Sequence, residues 1–242
     1  MVVDVRSVRT DVSGDVESPW ADRAVAALSA EFSEAGDPER AAGMRRYMRD
    51  QFAYFGVPTP QRRAIAKQVL APLGAPSPLD LEAIGPLAWA ADEREVQYAA
   101  VDVLVRHVDV ARPQLLGVVA ELVTTKSWWD TVDALAANVV GPLVRQYPSL
   151  VATLDQWISG DELWLARTAI LHQLGYKTDT DVDRLFRYSL AWASNPDFFA
   201  RKAIGWALRQ YARTDPEAVR GFLADHANVL SRLTLREASK HL

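Results

Sequence analysis

The chain has 242 residues, a formal net charge of −4, no cysteine and 4 histidines. About half of its residues are apolar, so one large domain or two small ones can bury a sizeable core. The lack of cysteine excludes disulfides and thiolate chemistry, and the scattered histidines disfavour a metal site. Taken alone, the acidic balance also argues against a nucleic-acid partner.

The first residues do not resemble a signal peptide, and no apolar run approaches the ~20 residues of a membrane span. We expect a cytoplasmic monomer without membrane contact, associated with the nucleoid if it is bacterial. Residues 1–19 are expected to form a flexible polar arm, and residues 20–242 a single domain, because no break in composition divides them. Glycine-rich phosphate motifs and histidine pairs with metal spacing are missing from the sequence, so no cofactor and no metal are predicted.

Helical patterns follow one another from residue 20 onward. A capping residue precedes a proline, which is a helix-start signal, in Asp37-Pro38, Ser77-Pro78, Asn195-Pro196 and Asp215-Pro216. Thr234 and Glu237 have the spacing of a capping box. The predicted helices span residues 20–35, 39–54, 60–71, 78–90, 93–107, 111–124, 128–146, 149–158, 162–174, 180–192, 197–212, 216–226 and 235–241.

This succession of short helices and short loops is typical of stacked antiparallel helix pairs. The length of one pair, roughly 35–40 residues, matches HEAT-type units. We therefore predict an all-α fold, a superhelical solenoid of HEAT-like antiparallel helix pairs that presents a concave face.

Charge is unevenly distributed along the chain. Residues 1–39 carry a net charge of −6, so the remaining residues carry +2. Arginines and lysines concentrate in residues 40–67 and 198–214. Such clusters can neutralise phosphates, and the alternative is a pair of ordinary solvated helix faces.

The segment around two consecutive tryptophans is the most informative. Ser127 is predicted to cap a helix, with Asp130 as its capping partner. Trp128 begins a core stripe that continues with Val132, Leu135 and Val139. Gly141-Pro142 is predicted to kink this helix near its end.

Trp129 and Asp133 lie one turn apart on a neighbouring face of the same helix. The next residues on that face, Ala136 and Ala137, are small and would leave an open floor beside the aromatic ring and the carboxylate. The alternative interpretation makes Trp129 a second packed tryptophan and Asp133 a surface or salt-bridged carboxylate.

A second helix separates into an apolar face and a cationic face. The apolar face contains Ala200, Ile204, Leu208 and Tyr211. The other face contains Lys202, Trp206, Arg209 and Arg213. It is either a phosphate-binding row with an aromatic platform or a tryptophan half-covered by arginine side chains.

Several segments, in this order, carry a resemblance to a known family. They are Tyr47-Met-Arg-Asp-Gln-Phe52, Gly56-Val-Pro-Thr-Pro-Gln-Arg-Arg63, Lys126-Ser-Trp-Trp-Asp-Thr-Val-Asp133, Trp164-Leu-Ala-Arg167-Thr-Ala-Ile, Gln173-Leu-Gly-Tyr-Lys177, Lys202-Ala-Ile-Gly-Trp-Ala-Leu-Arg209 and Arg236-Glu-Ala-Ser-Lys240. Over about residues 40–240 the chain resembles the AlkD-like glycosylases, HEAT-like repeat enzymes of DNA alkylation repair.

The resemblance implies a helical solenoid that holds duplex DNA in its concave face. It also implies hydrolysis of the N-glycosidic bond of positively charged alkylpurines, such as 3-methyladenine and 7-methylguanine, without a base-flipping pocket. By similarity, the catalytic residues are Asp133, Trp129 and Trp206. By similarity, Arg167 and Arg209 are expected to contact the DNA backbone, and Tyr47 and Thr59 to lie close to the DNA. Lys202 and Arg213, which share the cationic face with Arg209, are expected to bind DNA with them.

The alternative is a non-catalytic HEAT-like module that binds DNA or serves as a protein scaffold. The two hypotheses differ in where Trp129, Asp133, Arg167 and Trp206 lie. Convergence on one surface favours the enzyme, whereas an Asp133 paired away from the groove favours the scaffold.

Overall fold

The computed structural model describes residues 17–242, and within this range the regular secondary structure is helical apart from one isolated β-bridge between Ala53 and Glu93. The predicted all-α, solenoid-like fold is confirmed. The helices are α1 (Pro19–Glu34), α2 (Pro38–Tyr47), α3 (Thr59–Leu70), α4 (Pro78–Ala90), α5 (Arg94–Arg106), α6 (Leu115–Thr124), α7 (Trp129–Leu135), α8 (Gly141–Gln146), α9 (Val151–Ser159), α10 (Leu163–Leu171), α11 (Val182–Ala191), α12 (Phe198–Tyr211), α13 (Pro216–Asp225) and α14 (Arg232–Ala238).

Within the described residues, the folded part of the chain begins at Ser18, before the predicted end of the arm at residue 19. Residues 1–16 of that arm lie outside the described residues. Ser18 is buried and caps α1, accepting the N–H of Ala21 at 3.0 Å and donating to Asp80 at 2.6 Å. Residues 18 and 19 therefore belong to the first helix and its cap.

Most predicted helix starts are capped as expected. Asp37, Ser77 and Asp215 each accept a backbone N–H of the following turn. The capping box at Thr234 is wrong, because Ser231 caps α14 and accepts the N–H of Thr234 at 3.0 Å. Glu237 is thereby left for a different role.

The helix predicted over residues 39–54 ends early, at Tyr47. Arg49 and Asp50 both adopt left-handed backbone conformations with φ near 56°, which a helix cannot accommodate. The loop that follows is tied down by the buried carboxylate of Glu95, which accepts the backbone N–H groups of residues 55–57. This loop brings the end of α2 close to α5.

The helix predicted over residues 128–146 is interrupted by a π-helical turn at residues 136–140, between α7 and α8. Pro142 lacks an N–H, and its ring clashes with a regular helix carbonyl four residues earlier. Gly141 allows a close approach, since a Cβ there would lie 2.3 Å from the carbonyl oxygen of His172. The predicted irregularity at Gly141-Pro142 thus takes the form of a π turn that packs tightly on α10.

Helices α3, α5, α7, α10, α12 and α14 pack side by side in this order, and we call them the helix row. Polar side chains bridge each pair of neighbours in the row. The bridges are Arg62–Asp102, Arg94–Asp130, Asp133–Arg167, Arg167 to the carbonyl of Phe199, and Glu237 to Lys202 and Arg209.

A contiguous cluster of buried apolar side chains runs along the fold from Trp20 to Ala238. A smaller cluster around Met48 and Tyr54 lies under the loop after α2. None of the helices in the described part of the chain is long and apolar enough to cross a membrane.

Candidate functional site

A cleft of about 420 Å³ opens along the helix row between α7 and α14. Its lining includes six of the predicted site residues, namely Trp129, Asp133, Arg167, Lys202, Trp206 and Arg209. The remaining lining residues are Asp130, Phe198, Phe199 and Glu237. Trp129, Asp133, Arg167 and Trp206 therefore converge on one surface, as the enzyme hypothesis predicts.

Asp133 is held in this cleft by two parallel hydrogen bonds. Arg167 Nε and Nη2 donate to its two carboxylate oxygens at 2.7 and 2.8 Å. The side chain of Asp133 is 13% exposed, whereas that of Arg167 is 4% exposed. Burial raises the pKa of Asp133, and the hydrogen bonds and charge of Arg167 oppose that rise.

Arg167 was expected to contact the DNA backbone, but its guanidinium lies beneath the cleft surface. Besides the two bonds to Asp133, its Nη1 donates to the carbonyl of Phe199 at 2.6 Å. In this arrangement the guanidinium fixes the carboxylate of α7 against the start of α12. The geometry gives it a positioning role more directly than a phosphate-binding one.

Aromatic side chains form the walls of the cleft and its support. Trp129 lines the cleft with Trp206 and meets the exposed ring of Tyr47 edge-on, with ring centroids 6.3 Å apart. Behind it, Trp128 packs against Phe199 and Trp164 at 5.0 and 6.3 Å. The predicted core stripe is confirmed at its other members, which are fully buried: Val132, Leu135 and Val139.

Asp130 is not a capping partner, and this prediction is wrong. Trp128, not Ser127, is the N-cap of α7, and no side chain caps it. Asp130 instead accepts two hydrogen bonds from Arg94, at 2.9 and 2.7 Å, and one from the hydroxyl of Tyr98 at 2.6 Å. No local pattern marks this pair, because Arg94 lies 36 residues away.

The cationic face of α12 is anchored by an acid for which the sequence pattern indicates only a capping role. Glu237, on α14, is 4% exposed. Its carboxylate lies 2.9 Å from Lys202 Nζ, 3.0 Å from Arg209 Nη1 and 2.8 Å from Lys240 Nζ. The hydrogen bonds from Lys240 and Lys202 lower the pKa of Glu237 to about 2.

Three predicted DNA-binding residues lie outside this cleft. Arg213 follows the end of α12, lines a separate pocket of about 260 Å³ and contacts His241. Tyr47 and Thr59 line an adjacent cleft of about 470 Å³, to which Trp129 also contributes. Trp129 therefore lies at the boundary between the two clefts and lines both of them.

Comparison of the chain with known proteins identifies its family. The family described as DNA alkylation repair enzyme matches residues 28–242. A solved structure of a predicted DNA alkylation repair enzyme from Enterococcus faecalis is 33% identical, with a TM-score of 0.78 over 86% of this chain and 96% of that chain. The chain is a DNA repair protein by this kinship and belongs to the DNA alkylation repair enzyme family.

A more distant structure supports the fold alone. The smu.31 protein of Streptococcus mutans UA159 is 18% identical, with a TM-score of 0.52 over 67% of this chain and 83% of that chain. No curated protein matches the sequence significantly. The family resemblance drawn from the sequence motifs is thus confirmed, and with it DNA as the partner that the family implies.

Proposed function

We propose that the protein is a DNA glycosylase that hydrolyses the N-glycosidic bond of positively charged alkylpurines in duplex DNA. The observation that carries the proposal is the carboxylate of Asp133, which Arg167 fixes in a cleft lined by Trp129 and Trp206. 3-Methyladenine and 7-methylguanine are the proposed substrates, and no base-flipping pocket is required.

The chemistry suits a site with one carboxylate and no general acid. An alkylated purine with a fixed positive charge is already a good leaving group, so it needs no proton. As the glycosidic bond breaks, the deoxyribose gains oxocarbenium character. A carboxylate held in place before the reaction stabilises that charge or positions the attacking water, and Asp133 is proposed to do so.

The tryptophans and cations would hold the substrate around this carboxylate. The faces of Trp129 and Trp206 favour a cationic nucleotide through their π electrons, by on the order of 0.5–2 kcal/mol each. Lys202 and Arg209, whose side chains are 37% and 23% exposed, remain accessible to phosphates on the cleft wall. Such contacts fix the register of the duplex without reading its sequence.

The experiment is release of 7-methylguanine from methylated duplex DNA, measured in single turnover for the wild type and Asp133→Asn. We expect the variant to lose about 100-fold or more in rate while its affinity for DNA stays within about threefold of the wild type. Asp155→Asn is the matched control, because Asp155 also binds an arginine, Arg187, at 2.8 Å but lies outside the cleft.

One observation favours the alternative of a non-catalytic DNA-binding module. Both oxygens of Asp133 already accept hydrogen bonds from Arg167, and a pair whose sole role is to join α7 to α10 would show the same geometry. In that case the wild type binds duplex DNA but releases no base. If Asp133→Asn excises at the wild-type rate, the catalytic assignment is wrong.

A further inference from the structure

We propose that Glu237 is a positioning residue of this site. It is a buried counter-ion that fixes Lys202 and Arg209 on the cleft wall and lowers the affinity of these cations for undamaged DNA. The inference rests on the proposed function, because it assigns these two cations to DNA phosphates. Glu237 lies on the last helix of the chain, at the end of the helix row.

The contacts of Glu237 are unusually concentrated. One carboxylate with 5% of its side chain exposed serves three cations: Lys202 at 2.9 Å, Arg209 at 3.0 Å and Lys240 at 2.8 Å. Lys202 and Arg209 line the cleft, as does Glu237 itself, whereas Lys240 does not. The acid therefore lies directly behind the two cations that face the proposed substrate.

The backbone is shaped to bring this acid under α12. A Cβ on Gly205 would lie 2.6 Å from the Cβ of Glu237 and 3.0 Å from the carbonyl oxygen of Thr234. Only a residue without a side chain allows α14 to pack so closely. Gly205 directly precedes Trp206, so the same close contact sets the position of the second tryptophan.

A purely stabilising role explains this arrangement poorly. Burying a carboxylate costs free energy, and ion pairs in the interior often contribute little net stability compared with apolar packing. On the wall, Lys202 and Arg209 against this one acid leave a local charge of +1, and Lys240 adds a further positive charge outside the cleft lining. That excess attracts phosphates, while the tether keeps two long, flexible side chains in one conformation before DNA arrives.

Two opposite effects follow from removing the charge of Glu237. Without the acid, Lys202 and Arg209 are free to neutralise phosphates fully, so any duplex is bound more tightly and with a steeper salt dependence. The same cations are no longer held in register with Asp133, so base release slows. A residue that only stabilised the fold would weaken binding and catalysis together.

The experiment compares Glu237→Gln with the wild type in two assays. The affinity for unmodified duplex is measured from about 50 to 200 mM salt, and release of 7-methylguanine is measured in single turnover. We expect the slope of log K against log salt to steepen by about one unit, low-salt affinity to rise about fivefold or more, and release to slow at least about tenfold. Glu82→Gln is the matched control, because Glu82 is a similarly buried acid that binds Arg112 away from the cleft.

The outcomes separate this inference from the proposed function. An unchanged salt slope in folded Glu237→Gln overturns the inference even if the wild type excises alkylpurines. A steeper slope supports the restraint on DNA binding even if no base is released, which would count against the glycosylase instead. If Glu237→Gln does not fold, Glu237→Asp decides: it keeps the charge on a shorter arm, and release at the wild-type rate overturns the positioning role.

Discussion

Arg167 and Asp133 meet across the interface between α10 and α7 in a fork of two parallel hydrogen bonds, 2.7 and 2.8 Å long. A third bond, from the same guanidinium to the carbonyl of Phe199, fixes the fork against α12. The carboxylate is thus oriented by three helices at once. Its orientation is set before substrate binds, which is what electrostatic stabilisation of a transition state requires.

Arg167→Lys tests this fork. A lysine keeps the positive charge but cannot donate two parallel hydrogen bonds to one carboxylate while also reaching a carbonyl. We expect single-turnover base release to fall about 10- to 100-fold, as it does in metal sites when a residue that orients a ligand is lost, with DNA affinity within about threefold. Arg187→Lys, at the exposed pair with Asp155, is the control. Equal rates for Arg167→Lys and wild type would remove the positioning role.

The pH dependence of base release reports on the same carboxylate. The proposed reaction uses the ionised carboxylate of Asp133, and burial raises the pKa of this group. Activity should therefore begin to fall at a pH above the pKa of an ordinary aspartate, which is about 3.9. Arg167 opposes this rise. Replacing it with lysine or glutamine should therefore move the acid limb further upward. The measurement is the single-turnover rate between about pH 4 and 8, with circular dichroism confirming a folded protein. A limb at or below the ordinary value would contradict the prediction.

Arg209→Ala tests the cationic wall. If Arg209 holds one phosphate, its removal should weaken binding to methylated and unmethylated duplexes alike and reduce the salt slope by about one unit. The salt slope of Arg213→Ala is measured for comparison. Arg213 follows the same helix but lines a different pocket from Arg209. An unchanged slope for Arg209→Ala would show that Glu237, and not DNA, is its only partner of consequence.

His172 predicts an acid-sensitive step in stability. Its ring is fully buried, its Nδ1 lies 2.6 Å from the carbonyl of Ala169, and burial lowers its pKa to about 4 from the ordinary 6.5. Between about pH 4 and 6.5, the unfolded chain therefore binds a proton at this side chain that the folded chain does not bind. The free energy of unfolding consequently decreases as the pH falls from about 6.5 to 4, by about 3 kcal/mol in total.

The measurement is urea unfolding of the wild type and His172→Gln over this pH range. The variant should lose less stability on acidification than the wild type, whatever its stability at neutral pH. Parallel pH profiles for the two proteins would rule out His172 as the responsible group.

Helical periodicity predicted the faces of the candidate site but not the partners across it. One turn separates Trp129 from Asp133, so their shared face follows from the geometry of a single helix. The pairing of Arg94 with Asp130 and that of Glu237 with Arg209 join different helices and span 36 and 28 residues. Sequence spacing within one helix contains no information about such contacts.

The predicted cationic row on α12 is one residue too long, because the helix ends before Arg213. Arg213 continues the cationic row in sequence, but α12 ends at Tyr211 and the chain turns away. The cap of α14 was misplaced because Ser231 and Thr234 both carry hydroxyls, and either spacing resembles a cap. Their side-chain oxygens lie 2.9 Å apart, so both take part in one arrangement.

The helix row also sets a length. Neighbouring helices pack about 8–10 Å apart, so the five steps from α3 to α14 extend over roughly 40–50 Å. Base pairs of duplex DNA follow each other every ~3.4 Å. A duplex lying along the row would be in reach over about 12–15 base pairs, which is a little more than one helical turn. For a duplex bound in this way, the length of the footprint follows from the number of packed helices in the row and does not depend on the kind of lesion.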